Sequence, residues 1–216
     1  MKSLKKYENF IFDFDGTIAD SLPIHANAFR DVLAPHFLKF NYYDYSGMST
    51  AKAFKLIFDE NRVAIDDSSL NELVVKKQQT ANQQYQNSIG FINGAEEFIR
   101  SLAKNDKKLF VASSGSRVNV ETGLKKLNVY SYFKGVITSS DIMQAKPDPE
   151  IFLKVIERYK LDITKTLVIE DANSGLTAAL KAGLEVVCIN QNIKLNQENK
   201  QISIISYSAL LTHLND

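Results

Sequence analysis

Two aspartates one residue apart, Asp13 and Asp15, close the apolar run Phe10-Ile11-Phe12 and are followed by Gly16. In extended backbone, side chains i and i+2 lie on the same side, so both carboxylates enter one small volume. Gly16 then lets the chain turn sharply away. Two like charges held that close require a cation between them or a proton on one of them. Other reactive groups also sit behind apolar runs: Ser113 and Ser114 after Leu109-Phe110-Val111-Ala112, and Glu170 and Asp171 after Thr166-Leu167-Val168-Ile169. Lys146 stands between them in Lys146-Pro147-Asp148-Pro149. An acidic pair, a hydroxyl, a lysine and a second acidic pair suit carboxylate attack on a phosphate ester.

A carboxylate and a phosphate dianion repel each other. A hard cation such as Mg2+ bridges them, with Asp13 and Asp171 as ligands. The serine hydroxyl donates to the phosphate and the lysine supplies a point charge. Asp13, Asp15, Glu170 and Asp171 outnumber by one the positive charges of Mg2+ and Lys146, which predicts a proton on one carboxyl. Asp15 is the natural holder: it would protonate the leaving oxygen, then activate the water that hydrolyses an aspartyl-phosphate on Asp13. A calcium loop is excluded, because its spacing needs an acid or amide, a glycine and a glutamate where this chain has Thr17, Ile18 and Ile24.

The 216 residues are 44% hydrophobic and 24% charged, enough for one large domain or a domain with a modest insertion. A net charge of +1 gives no sign of a nucleic-acid footprint. The lone cysteine, Cys188, lies in an apolar run and reads as a buried, inert thiol. It permits no internal disulfide, which suits a reducing compartment. No apolar run approaches the ~20 residues that cross a bilayer, and Asp13 and Asp15 interrupt the first one too early for a signal peptide. The expectation is a cytoplasmic chain, with no membrane or nucleic-acid partner and a monomer as the simplest state.

Short continuous apolar runs at 10–12, 109–112, 135–137, 166–169, 185–189 and 202–205 predict strands buried on both faces, hence a parallel sheet between helices. Helical patterns cover 96–104, 119–127 and 174–182, the last stopping at Gly183 as a left-handed cap. Asp148-Pro149 reads as a cap and first-turn proline of a further helix. The stretch 21–88 lacks a buried strand. It predicts three helices: one starting at Pro23 and ending near Pro35, one capped by Ser49, and one capped by Asp67 or Ser68. The fold class expected is α/β, a Rossmann-like parallel sheet core of residues 1–20 and 89–216 with an inserted α-helical cap domain at 21–88.

Asp13-Phe14-Asp15-Gly16-Thr17, Ser113, Lys146-Pro147-Asp148-Pro149 and Val168-Ile169-Glu170-Asp171-Ala172-Asn173-Ser174-Gly175 resemble, in order, the four motifs of the haloacid dehalogenase superfamily. The resemblance covers nearly the whole chain. It implies Mg2+ dependence, with Asp13 as nucleophile and metal ligand and Asp15 as acid/base and backbone-carbonyl ligand. Ser113 and Lys146 would hold the phosphate, Asp171 would bind the metal directly, and Glu170 would act through a metal-bound water. Members that cleave carbon–halogen or carbon–phosphorus bonds lack the second aspartate, so Asp15 argues for phosphate esters.

Within that superfamily the nearest resemblance is to sugar-phosphate phosphatases and β-phosphoglucomutases, which implies a small phosphorylated metabolite as substrate. By it, Ser114, His25 and the loop residues Gly47 and Ser49 would touch substrate. For His25 the alternative is a half-exposed histidine on the first helix. Where the mutase has an arginine gripping a second phosphate, this chain has Thr50. Without a guanidinium fork a bisphosphate is harder to hold in two orientations, which favours a phosphatase over a mutase. Lys52 and Lys77 are the candidates to compensate, and otherwise solvated helix lysines. Arg117 is either a substrate contact or a surface residue at a helix start. A phosphoacceptor receiver module would carry its acidic pair on the first strand but its phosphorylated aspartate on a later one, where this chain has Thr138-Ser139.

Overall fold

The computed structural model describes residues 4–45, 48–87 and 89–215. Its centre is a parallel sheet of β1 (Asn9–Phe12), β2 (Lys108–Ser113), β3 (Phe133–Thr138), β4 (Thr166–Glu170), β5 (Glu185–Cys188) and the short β6 (Ser203–Ile204). Among the described residues the spatial order is β3-β2-β1-β4-β5-β6. The order reverses beside β1, the point where open parallel sheets bind ligands.

Both faces of the central strands β1, β2 and β4 are covered, as the continuous apolar runs predict, whereas β6, at the sheet edge, is exposed rather than buried on both faces. Phe10, Phe12, Leu109, Val111, Leu167 and Ile169 face one layer. The intervening Ile11, Phe110, Ala112 and Val168 face the other. The first layer comprises α4 (Ala95–Lys104), α5 (Arg117–Lys126) and α8 (Tyr207–Asn215), and the second α6 (Glu150–Tyr159) and α7 (Asn173–Lys181). Alternation at period two therefore distributes each strand between two cores.

Between β1 and α4 lie α1 (Leu22–Leu33), α2 (Thr50–Glu60) and α3 (Asp67–Asn87). Their outer portions share an apolar cluster built from Phe29, Val32, Phe54, Ile57, Phe58 and Leu70. The inner ends of α1 and α3, through Ile24, Ala28, Ala81 and Tyr85, join the core beneath the sheet's first layer. The chain leaves and returns through one doorway: Asp20 N–H donates to Gly90 O and Ile92 N–H to Ile18 O, each at 2.9 Å.

Some helix starts differ from the sequence expectation. Pro149 occupies the cap position of α6, while Asp148 Oδ1 accepts the Glu150 N–H at 2.9 Å. The acid still serves an otherwise unpaired helical donor, but from one position further out. For α3 the capping acid is Asp66, whose Oδ1 accepts the Ser69 N–H at 2.8 Å, and Asp67 is already helical. Ser49 caps α2 by accepting the Lys52 N–H at 3.4 Å, and Gly183 after α7 is left-handed at φ 75°.

Candidate active site

The strand ends deliver the acidic and basic groups to one buried cup. Asp13 follows β1, and its N–H continues the ladder onto Ile169 O at 3.0 Å. Glu170 ends β4, and Asp171 follows it. Lys146 arrives from the segment between β3 and α6 and is 2% exposed. Its ammonium donates to Asp13 Oδ1 at 2.7 Å, Glu170 Oε1 at 2.6 Å and Ala112 O at 3.0 Å, which uses all three N–H groups. Burial works against that charge, yet the two carboxylates outweigh it and hold the lysine above its ordinary range.

Glu170 is anchored from both ends. Its Oε2 accepts the N–H groups of Asp171 and Ala172 at 3.0 and 3.3 Å. Gly175 leaves it room, since a Cβ there would stand 1.8 Å from Glu170 Oε1. Asp171 is held by the Thr17 hydroxyl, which donates to its Oδ1 at 3.3 Å, and by Asn190 Nδ2, which donates to its backbone carbonyl at 3.2 Å. Gly16, at φ 80°, passes so close that a Cβ would meet Asp171 Oδ2 at 2.3 Å.

Asp13, Glu170 and Asp171 each offer a carboxylate oxygen, and these atoms lie within 4.8 Å of one another. Burial, then mutual repulsion, pushes Asp13 and Asp171 above the usual carboxylate range, with Lys146 opposing the rise. Three buried carboxylates facing one lysine form an all-oxygen, electron-rich donor set, which fits a hard divalent cation.

Asp15 has different surroundings. Its Oδ1 accepts the Ser21 hydroxyl at 2.6 Å and the Tyr85 hydroxyl at 2.7 Å, with His25 Nε2 at 2.8 Å. Burial raises this carboxyl, but His25 and the two hydroxyls together hold it well below the ordinary range. The charge count from sequence put the spare proton on Asp15. In this arrangement the carboxylate is favoured there, because the sequence count omitted two basic residues and two hydroxyls folded around it. One of those bases is His25, 5% exposed and packed against Asp15 rather than half in solvent. The other is Lys77, 4% exposed, whose Nζ lies 2.7 Å from His25 Nδ1. An ammonium donating to Nδ1 puts the histidine proton on Nε2 and aims it at Asp15. Burial, with Lys77 next, lowers the His25 pKa, consistent with a neutral ring.

A small cavity opens above these groups, lined by Asp13, Asp15, His25, Lys77, Ser114 and Gly115 from below and beside, and by Phe29, Tyr42, Met48, Thr50 and Ala53 opposite. Ser113 lies beneath, fully buried, its Oγ accepting the Gly115 N–H at 3.0 Å. Ser49 does not line the cavity, and its hydroxyl is used as a helix cap. Gly47 lies outside the described residues. Arg117 pairs with Glu121 and Asp141 and reaches Val136 O, so it braces the β3 end rather than the cavity. Lys52 is exposed, as a solvated lysine should be.

Tyr85 and Thr17 were not singled out from sequence. A signal for Tyr85 exists: Lys77, Ala81 and Tyr85 recur every four residues along α3 and are all buried, a stripe through otherwise polar turns. The lysine at its start hides the stripe, because a lysine reads as surface. Thr17 carries no comparable signal.

This sheet, with its acids at the end of the first strand and a helical segment inserted directly after it, defines a Rossmann-like α/β fold with a helical insertion. The chain belongs to the haloacid dehalogenase-like hydrolases, whose family model matches residues 10–189. It is 26% identical to the fructose-1-phosphate phosphatase YqaB of Escherichia coli, over 85% of this chain and 96% of the relative. It is 26% identical to a phosphorylated carbohydrates phosphatase of Thermotoga maritima, over 82% of each. A solved β-phosphoglucomutase from Clostridium difficile superposes with a TM-score of 0.81 at 20% identity, covering 97% of both chains. No helix among the described residues is long and apolar enough to cross a membrane.

Proposed function

We propose that this chain is a Mg2+-dependent phosphatase that hydrolyses a small phosphate monoester, a sugar phosphate first among them, through an aspartyl-phosphate on Asp13. The reading is carried by one observation: a buried Asp13 oxygen 2.7 Å from the Lys146 ammonium, in the same cup as Glu170 and Asp171. The names of the two phosphatase relatives support the sugar-phosphate class. Residues 1–20 and 89–216 act as the catalytic body and 21–88 as the cap.

Asp13 attacks phosphorus, the ester P–O bond breaks, and Asp15 gives its proton to the leaving oxygen. Water then attacks the aspartyl-phosphate, Asp15 takes its proton, and Asp13 is regenerated with release of phosphate. An approaching phosphate dianion raises the pKa of a neighbouring carboxyl, which lets Asp15 carry the proton in the first step despite its surroundings in the free protein. Ser113 and Lys146 hold the phosphoryl oxygens. Asp13 and Asp171, with the Asp15 carbonyl, would hold Mg2+, with Glu170 acting through a bound water. The ion supplies charge neutralisation between nucleophile and dianion.

A phosphomutase is the second reading. It is favoured by Lys77, a buried cation that lines the same cavity as Thr50 and supplies a positive charge for a second anionic group. Phosphate release from sugar and nucleotide monophosphates, with Mg2+ and with chelator, separates the two. The phosphatase reading expects free phosphate that disappears with chelator and in Asp13→Asn. Conversion of β-glucose 1-phosphate to glucose 6-phosphate without free phosphate would select the mutase, and turnover surviving Asp13→Asn would exclude attack by that residue.

A further inference from the structure

Tyr42 opens the short turn Tyr42–Tyr45 and lines the same cavity as Asp13 and Asp15. Its ring is seated against Phe29, with centroids 5.0 Å apart, and tilted beside His25 at 6.3 Å. Among the described residues its hydroxyl makes no hydrogen bond, although every other phenol close to the site has a partner: Tyr85 bonds Asp15, and Tyr207 bonds the Thr17 carbonyl. A phenol with an apolar back and a free polar tip in a binding cavity is a recognition group in search of an acceptor. Burial, and then the fields of Asp15, Asp171 and Asp13, raise its pKa, so it stays a neutral donor at any working pH. His25, beside the Tyr42 ring, is itself 2.8 Å from Asp15 Oδ1, so the phenol stands on the side of the cavity that handles the leaving oxygen.

We propose that Tyr42 is a substrate-contacting residue whose hydroxyl hydrogen-bonds the leaving-group half of the ester, selecting alcohols that carry a further hydroxyl near the phosphorylated carbon. This deepens the phosphatase reading and rests on it. The wall around Tyr42 is otherwise Phe29, Met48 and Ala53, apolar surface suited to the C–H face of such an alcohol.

The test is Tyr42→Phe, which keeps the ring against Phe29 and removes only the oxygen. Its melting temperature, compared with that of the wild type, establishes that the fold is retained. The measured quantity is the ratio of kcat/KM on polyhydroxylated sugar monophosphates to kcat/KM on p-nitrophenyl phosphate, which has no leaving-group hydroxyl. The expected result is a ~10-fold fall in that ratio, the worth of one neutral hydrogen bond, arising mainly in KM. An unchanged ratio overturns the proposal. So does an equally large rise in the inhibition constant of inorganic phosphate, which would put the contact on the phosphoryl group. A wild-type chain that releases phosphate from no ester brings down the phosphatase reading itself, and this assignment with it.

Discussion

Lys146 spends its three donors on Asp13, Glu170 and the Ala112 carbonyl, whereas among the described residues Lys77 shows one hydrogen bond, to His25, and a 5.2 Å approach to the Phe29 ring. The contrast has a measurable consequence. Burial pushes Lys77 down from 10.5 to about 8, against the pull of Asp15. Between those values the unfolded chain holds more of the proton than the folded one, so stability rises with pH across that window. Below about pH 8 both states are charged and the folded one bears the full burial penalty. Thermal melts should therefore show wild type gaining on Lys77→Met from pH 8 to 10.5, by up to roughly 3 kcal/mol. A gap between the two proteins that stays constant with pH would contradict this. Gly175→Ala is expected to drive a methyl into Glu170, release its hold on Lys146 and cost about 1–3 kcal/mol. Phosphate release should fall ~100-fold with it, the cost of displacing a positioned group by about 1 Å. Asp13, Asp15, Lys146 and Asp171 were legible because each follows a recognisable apolar run or opens a proline-rich turn. Lys77 and Tyr85 were not, because α3 places them far along a polar helix whose buried stripe only tertiary packing reveals.

At the level of elements, the strands were legible from their uninterrupted apolar runs, and the two-sided burial of Ile11 against Phe10 and Phe12 explains why those runs do not alternate. Helix starts were less so. Asp66 caps α3 in place of the expected Asp67 or Ser68, since adjacent acids compete for the same unpaired N–H groups and composition cannot rank them, and α6 starts one residue later than expected after Asp148. Removing the Asp66 carboxylate by Asp66→Ala should cost about 1 kcal/mol, read from denaturant unfolding. The least legible element was α8. Its Tyr207 hydroxyl donates to Thr17 O at 2.9 Å, and Thr17 in turn donates to Asp171. Tyr207→Phe would leave a buried carbonyl unpaired, at a cost of about 1–3 kcal/mol. Calorimetric titration of the phosphate-free variant with Mg2+ should also show weaker binding, because Asp171 loses the support of a fixed Thr17. Unaltered affinity would mean that α8 only covers the sheet.

For the whole molecule, the sheet order beside β1 brings together groups from residues 13 to 171, so that the cup exists only once β1, β2 and β4 have paired. The helical segment is independent of that pairing in one respect: it departs at Asp20 and returns at Gly90, whose N–H and C=O are already bonded. Replacing 22–88 by a short glycine-containing turn should leave a chain that still folds, with a lower melting temperature because Ala81 and Tyr85 no longer cover Phe14. Circular dichroism checks the first point, and loss of discrimination among esters checks the second role of that segment. Because the doorway is one narrow set of backbone hydrogen bonds and the excursion is one unbroken stretch of chain, a lone recombination event could trade it for another. Chemistry and appetite would then be inherited separately, with a new diet acquired while the sheet stays untouched.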